Sequence, residues 1–162
     1  MILELNKLKE NLMLAKKENQ LVKYSAKNLK SFGKIDSIKK AVESNTVSLT
    51  VLRKDNSEEA VIKYIILWIS RLNEYLNISR KMNFDQMQQT AEHILQDYYY
   101  LKQSDLYFVF SQAEKGRYGE FYDCLDGAKI LSWFEKYDIE RANYVYDEGL
   151  EIFEKRKKED IL

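Results

Sequence analysis

The sequence predicts an all-α fold, a single compact helical domain of about five to six helices with a long lysine-rich N-terminal helix, and three observations carry the prediction. There is no proline in 162 residues, where average usage of roughly 5% would supply about eight, and proline is the residue that breaks helices. Apolar residues recur at spacings of three and four along most of the chain, the period of one helix face. Small polar residues that cap helix starts stand ahead of these stretches, at Ser48, Asn56, Asn83, Ser104 and Asp126. The chain is 45% hydrophobic and 13% aromatic, which supplies a core and excludes a disordered polyelectrolyte.

The first predicted helix covers residues 2–31. Leu5, Leu8, Leu12, Ala15, Asn19, Val22, Ala26 and Leu29 alternate three and four apart, an a/d heptad register with Asn19 at an a position, where a buried amide fixes register. Lys9, Lys16, Lys23 and Lys30 fall at successive e positions, a basic ridge about 30 Å long at 1.5 Å per residue. Such a ridge follows a phosphate backbone, or flanks a seam that packs on the rest of the domain. Ser31, Phe32 and Gly33 are read as the end of this helix, with Gly33 in the left-handed position after it.

Asp36 to Glu43 makes a short helix. In Asn45 to Lys54, Val47, Leu49 and Val51 alternate like a strand while Leu49 and Leu52 fit a helical turn after Ser48; helix is chosen because a lone strand has no partner. Asn56 with Glu59 is read as the cap of a helix reaching about Ile78. Its face is Val61, Tyr64, Ile65, Trp68, Leu72, Tyr75 and Leu76, widened by Ile62, Ile66 and Ile69, which makes it central. Asn83 with Gln86 opens a helix facing inward through Met87, Ala91, Ile94, Leu95 and Tyr98. Ser104 opens another, with Leu106, Val109, Phe110 and Ala113 inward and Gly116 at its end. Asp126 opens the last, where Ile130, Leu131, Phe134 and Tyr137 pack ahead of a polar tail.

Lys+Arg and Asp+Glu balance at 26 each, yet the balance is divided. Residues 1–54 hold twelve basic against five acidic residues, a balance of +7, and residues 55–162 hold fourteen against twenty-one, or −7. The organisation read from this is a basic helical arm over 1–45 and an acidic, tyrosine-rich body over 46–162 within one structural domain. The asymmetry points to an electrostatic partner, RNA or DNA for the arm or a basic protein groove for the body, or to mutual attraction of the two parts. The longest apolar run, Ile65 to Ile69, is flanked by Lys63 and Arg71, far short of the roughly 20 residues of a membrane span. With a single cysteine and no secretory leader pattern, a cytoplasmic protein without membrane attachment is expected.

Chemistry is sparse. His93 is the lone histidine, and with Asp97 one turn later it makes two ligands where metal sites need three or four. Cys124 lies beside Asp123 and Asp126, which do not activate a thiol as a nearby cation would. Lys115-Gly116-Arg117-Tyr118-Gly119 is too short for a phosphate loop and follows a helix. No metal, cofactor or catalytic residue is expected. Tyrosines, by contrast, crowd residues 98–146, and three in a row at Tyr98, Tyr99 and Tyr100 cannot all face one core. Tyr99, Tyr100, Arg117, Tyr118, Tyr122 and Arg141 are the expected protein-partner face, because tyrosine and arginine anchor interfaces.

The segment Gly116-Arg117-Tyr118-Gly119 followed by Tyr122, then Asp126-Gly127, Ile130, Trp133, Tyr137 and Arg141, resembles a set of uncharacterised small helical proteins of bacterial phages and mobile elements. Trp68 with Leu72-Asn73-Glu74, Met82 to Gln86, and Thr90-Ala91 with Ile94-Leu95 extend the resemblance over residues 56–141, with the lysine-rich first 45 residues outside it. The resemblance implies a non-enzymatic protein of the bacterial host cytoplasm that interferes with a host nucleoprotein complex, foremost an RNA-guided defence nuclease, as an anti-CRISPR-like inhibitor does. Alternatives are a replisome accessory such as a helicase loader, and a structural coiled-coil homodimer through Leu5 to Leu29.

Overall fold

The computed structural model describes residues 2–120 and 123–159, and of residues 12–19 the backbone alone. Its helices are α1 (Ile2–Lys23), a 3-10 turn (Leu29–Phe32), α2 (Ile38–Glu43), α3 (Leu49–Asp55), α4 (Glu58–Tyr75), α5 (Phe84–Asp97), α6 (Gln103–Glu114) and α7 (Gly127–Glu159). Among the described residues there are seven α-helices, each overlapping a helix placed along the sequence, and no strand.

Helix starts follow the small polar residues, with two shifts. Ser37, Ser48 and Ser57 accept from the backbone N–H three residues on, and Asn83 and Gln86 form a complete capping box. Asp126 accepts from Lys129 N at 2.8 Å. The cap of α4 is Ser57 rather than Asn56, because Asn56 is spent ending α3, its side chain donating to Leu52 O at 3.0 Å. The cap of α6 is Lys102 instead of Ser104, since the Asp105 carboxylate accepts from Lys102 N at 2.6 Å, leaving Ser104 inside the helix. There its hydroxyl donates to Ala41 O at 2.6 Å.

The first helix is shorter than its periodicity suggested. It stops at Lys23, where the Asn28 side chain donates to Lys23 O at 3.2 Å. The chain then turns inward, burying Ser25, Ala26 and Phe32, and the Tyr64 hydroxyl donates to Tyr24 O. A straight helix to residue 31 would carry Phe32 past the aromatic cluster it stacks in, 4.6 Å from Tyr107. Gly33, with φ of 62°, ends the 3-10 turn and not α1.

Helix α4 is the axis. Val61, Tyr64, Ile65, Ile66, Trp68, Ile69 and Leu72 are buried along it, against α5 and α6, and Trp68 stacks on Phe110 at 5.8 Å. The first half of α7 closes the core with Ile130, Trp133, Phe134 and Tyr137. Its N-terminus lies so close to α5 that a Cβ on Gly127 would collide with the Thr90 hydroxyl. Residues of the expected basic arm share this core through Ala26, Phe32, Ile35 and Ala41, so the part that projects from the body is α1 alone. The strand-like alternation after Asn45 also has a counterpart: Leu49 N donates to Leu101 O at 2.8 Å and Gln103 N to Val47 O at 3.0 Å, a one-rung antiparallel bridge of Ser48 with Lys102.

Candidate interaction surfaces

On two helical segments the apolar side chains that the body does not cover recur at helical spacing. On α1, Leu5, Leu8 and Val22 are 53%, 62% and 67% exposed. At these three positions the a/d seam does not pack on the rest of the domain; contact with the body is made instead through Leu21 and Tyr24 and through Gln103 Nε2 donating to Gln20 O at 3.1 Å. On the second half of α7, Tyr146 and Phe153 are 67% and 65% exposed, with Val145, Leu150 and Ile152 beside them. This stripe is legible as Tyr146, Leu150 and Phe153 at i, i+4 and i+7, and it lies just ahead of the polar tail, Glu154 to Asp160, read from the sequence.

The lysine row is only partly assembled. Lys9 and Lys23 are exposed on α1, with the Lys23 ammonium 5.2 Å from the centre of the Tyr24 ring. The Lys16 side chain lies outside the described residues. Lys30 is exposed in the 3-10 turn, beyond the end of the helix, so the ridge is not one straight line of four. It lines a groove of about 680 Å³ with Lys27, Leu67 and Arg71, the last held by Glu114 at 3.1 Å.

The residues expected to form a protein-partner face fall into two groups. Tyr99 and Tyr100 are exposed and pack edge to face at 5.4 Å, and the Tyr100 hydroxyl donates to Asp138 at 2.5 Å. Arg117 is exposed in the turn that Gly116 and Gly119 make at φ of 71° and 107°. Tyr118 is half-buried, stacked on Trp133 at 5.7 Å with the Lys136 ammonium 5.8 Å from its ring. Tyr122 lies outside the described residues.

Arg141 is not presented to a partner. Its Nε donates at 3.2 Å to Asp105, a carboxylate with no exposure, which also receives the Tyr137 hydroxyl and Lys102 N. Burial, and then the Asp105 charge, push the Tyr137 hydroxyl well above the usual tyrosine range, keeping it a donor. The i, i+4 spacing of Tyr137 and Arg141 therefore serves a buried carboxylate at the start of α6, a partner far away in sequence that helical spacing does not reveal.

His93 is exposed on α5, and Cys124 is half-buried ahead of α7. Among the described residues no three His, Cys, Asp or Glu side chains are grouped to hold a metal ion, and no helix is long and apolar enough to cross a membrane. Comparison with protein-family models, curated proteins and solved structures gives no match to this chain.

Proposed function

We propose that this protein acts by binding, through its projecting α1 and the second half of α7, and that its target is a host nucleoprotein complex whose action it blocks, an RNA-guided defence nuclease being the first candidate. The observation that carries a binding role is the exposure of apolar side chains at regular spacing on both segments, since singly scattered exposed leucines are ordinary but a patterned stripe marks an interaction face. Charge supports a nucleoprotein: the first 54 residues carry +7, suited to guide or target phosphates, and the rest carries −7, suited to a groove built for nucleic acid. The phage-like segment from Gly116 to Arg141 supports the same setting, with the chain as an inhibitor in the host cytoplasm.

The test is direct. Purified protein is titrated into an RNA-guided nuclease cleavage assay, and the complex is recovered with and without ribonuclease treatment. Dose-dependent loss of cleavage with co-purification of the nuclease supports the reading. Unaltered cleavage, together with recovery of a replicative helicase from host lysate, would move the protein to the replisome-accessory class. Joint replacement of Lys9, Lys16, Lys23 and Lys30 by Gln should flatten the salt dependence of any nucleic-acid binding by about one unit for each phosphate that a lysine had neutralised.

A further inference from the structure

We propose that α1 pairs in parallel with α1 of a second copy of this chain, as a two-stranded coiled coil over residues 5–22. The starting point is which face of α1 the body takes. In the heptad register Leu21 and Tyr24, which pack on the core, are c and f positions, on the side opposite the a/d seam. The seam at Leu5, Leu8 and Val22 is left exposed. The sequence continues this register through Leu12, Ala15 and Asn19. It ends at Val22, because the next a and d residues, Ala26 and Leu29, follow the end of the helix and pack in the core.

Charge identifies the occupant and its direction. The e positions are Lys9, Lys16 and Lys23, and the g positions Glu4, Asn11 and Glu18. In a parallel pair a g residue meets the e residue five positions further along the other strand. Glu4 then meets Lys9 of the second copy and Glu18 meets its Lys23, each pairing occurring twice by symmetry. In an antiparallel pair e meets e, so the lysines would face one another. Asn19 points the same way: at an a position a parallel pair sets it against its own copy, where two amides bond each other and fix register and strand number. The stripe on α7 has Asp147, Glu148, Glu151 and Glu154 around it and a basic run, Lys155 to Lys158, only beyond its last apolar residue, so its flanks do not alternate in sign along the stripe as those of α1 do.

Sedimentation equilibrium of the full chain, up to about 100 µM because assembly follows mass action, should show a reversible dimer. Leu5→Asp with Leu8→Asp should weaken association by at least about 100-fold, since four apolar seam residues are removed per dimer, while the helical circular dichroism of the dilute chain stays unchanged. Lys23→Glu should weaken it several-fold, and Glu18→Lys added to Lys23→Glu should restore it, a rescue that general misfolding would not produce. In a Cys124→Ser background, Leu5→Cys should cross-link to itself on oxidation. A monomer at all concentrations overturns the proposal, as does a dimer that survives the paired aspartates but is abolished by Tyr146→Asp and Phe153→Asp. Cross-linking of Leu5→Cys chains to Val22→Cys chains in preference to themselves overturns the parallel direction. The pairing stands or falls apart from the target, since a monomeric chain that still inhibits a nuclease leaves the binding role intact.

Discussion

Trp68 on α4 and Leu8 on α1 belong to apolar stripes that look alike in the sequence, but Trp68 is 2% exposed and Leu8 62%. Helix α4 is held from several sides, by α5, by α6 and by the turn carrying Phe32, whose ring lies 5.6 Å from Trp68. Helix α1 meets the body near its last turn, through Leu21 and through Gln103 Nε2 donating to Gln20 O. The α1 junction is a small contact at one end of its helix, where the α4 core is packed on several sides. Periodicity shows that a face is apolar; only the neighbouring elements decide whether it becomes core or surface.

The contrast is broken most severely at its buried end. Trp68→Ala should cost about 3–5 kcal/mol, read as a large fall in the thermal midpoint, because the stacking on Phe110 and the packing with Phe32 and Tyr64 go together. Asp105→Ala should come next at about 3 kcal/mol, since it strips a partner from the mostly buried Arg141 and from the Tyr137 hydroxyl at once; urea unfolding of the variant measures it. Gly127→Ala should cost about 1–3 kcal/mol by forcing α7 away from Thr90, and pairing it with Thr90→Ala should recover part of the loss.

The remaining two effects are smaller. Asp123, at φ of 58°, accepts from both the hydroxyl and the backbone N–H of Ser79, at 2.5 and 2.9 Å, and these bonds hold its carboxyl below the usual range. A depressed folded value means that its contribution is present above about pH 4, the unfolded carboxyl value, and is lost as the pH falls through the folded one. Ser79→Ala should therefore flatten the acid limb of stability slightly, as melts between pH 5 and pH 2 would show. Smallest of all, Leu8→Ser and Phe153→Ser should change the stability of the dilute chain by less than about 0.5 kcal/mol, although both remove a large apolar side chain. A loss near that of Trp68→Ala would mean that these faces are covered within the single chain.

Much of the fold can be read directly. The Asn83–Gln86 box, the Asp126 cap and the inward faces of α4, α5, α6 and α7 depend on neighbours within one or two turns, and local spacing reports those. Local spacing fails where a distant residue decides a local event. The end of α1 is drawn in by Tyr64 and Tyr107, the start of α6 is set by a carboxylate that also serves Arg141, and Asn56 is claimed by the helix before it. Of the interaction surfaces, Tyr99 and Tyr100 are legible because three adjacent tyrosines cannot share one face. The α7 stripe is obscured because Asp147, Glu148 and Glu151 interleave with Tyr146, Leu150 and Phe153, and the inward role of Arg141 is hidden because its carboxylate lies 36 residues away.

The bridge between Ser48 and Lys102 bears on folding speed. Helices form in about a microsecond or less and local helix pairs soon after, which would make a proline-free helical protein a fast folder. Here Leu49 and Thr50 donate to Leu101 and Tyr99, and Gln103 donates back to Val47, so the start of α3 and the start of α6 are each seated on a chain segment some fifty residues distant. Closing that span carries an entropic cost before any bridging bond repays it, and it raises contact order above that of a simple bundle. Variants at Val47 or Leu101 should therefore slow refolding more than those along α1, a difference that stopped-flow refolding would read.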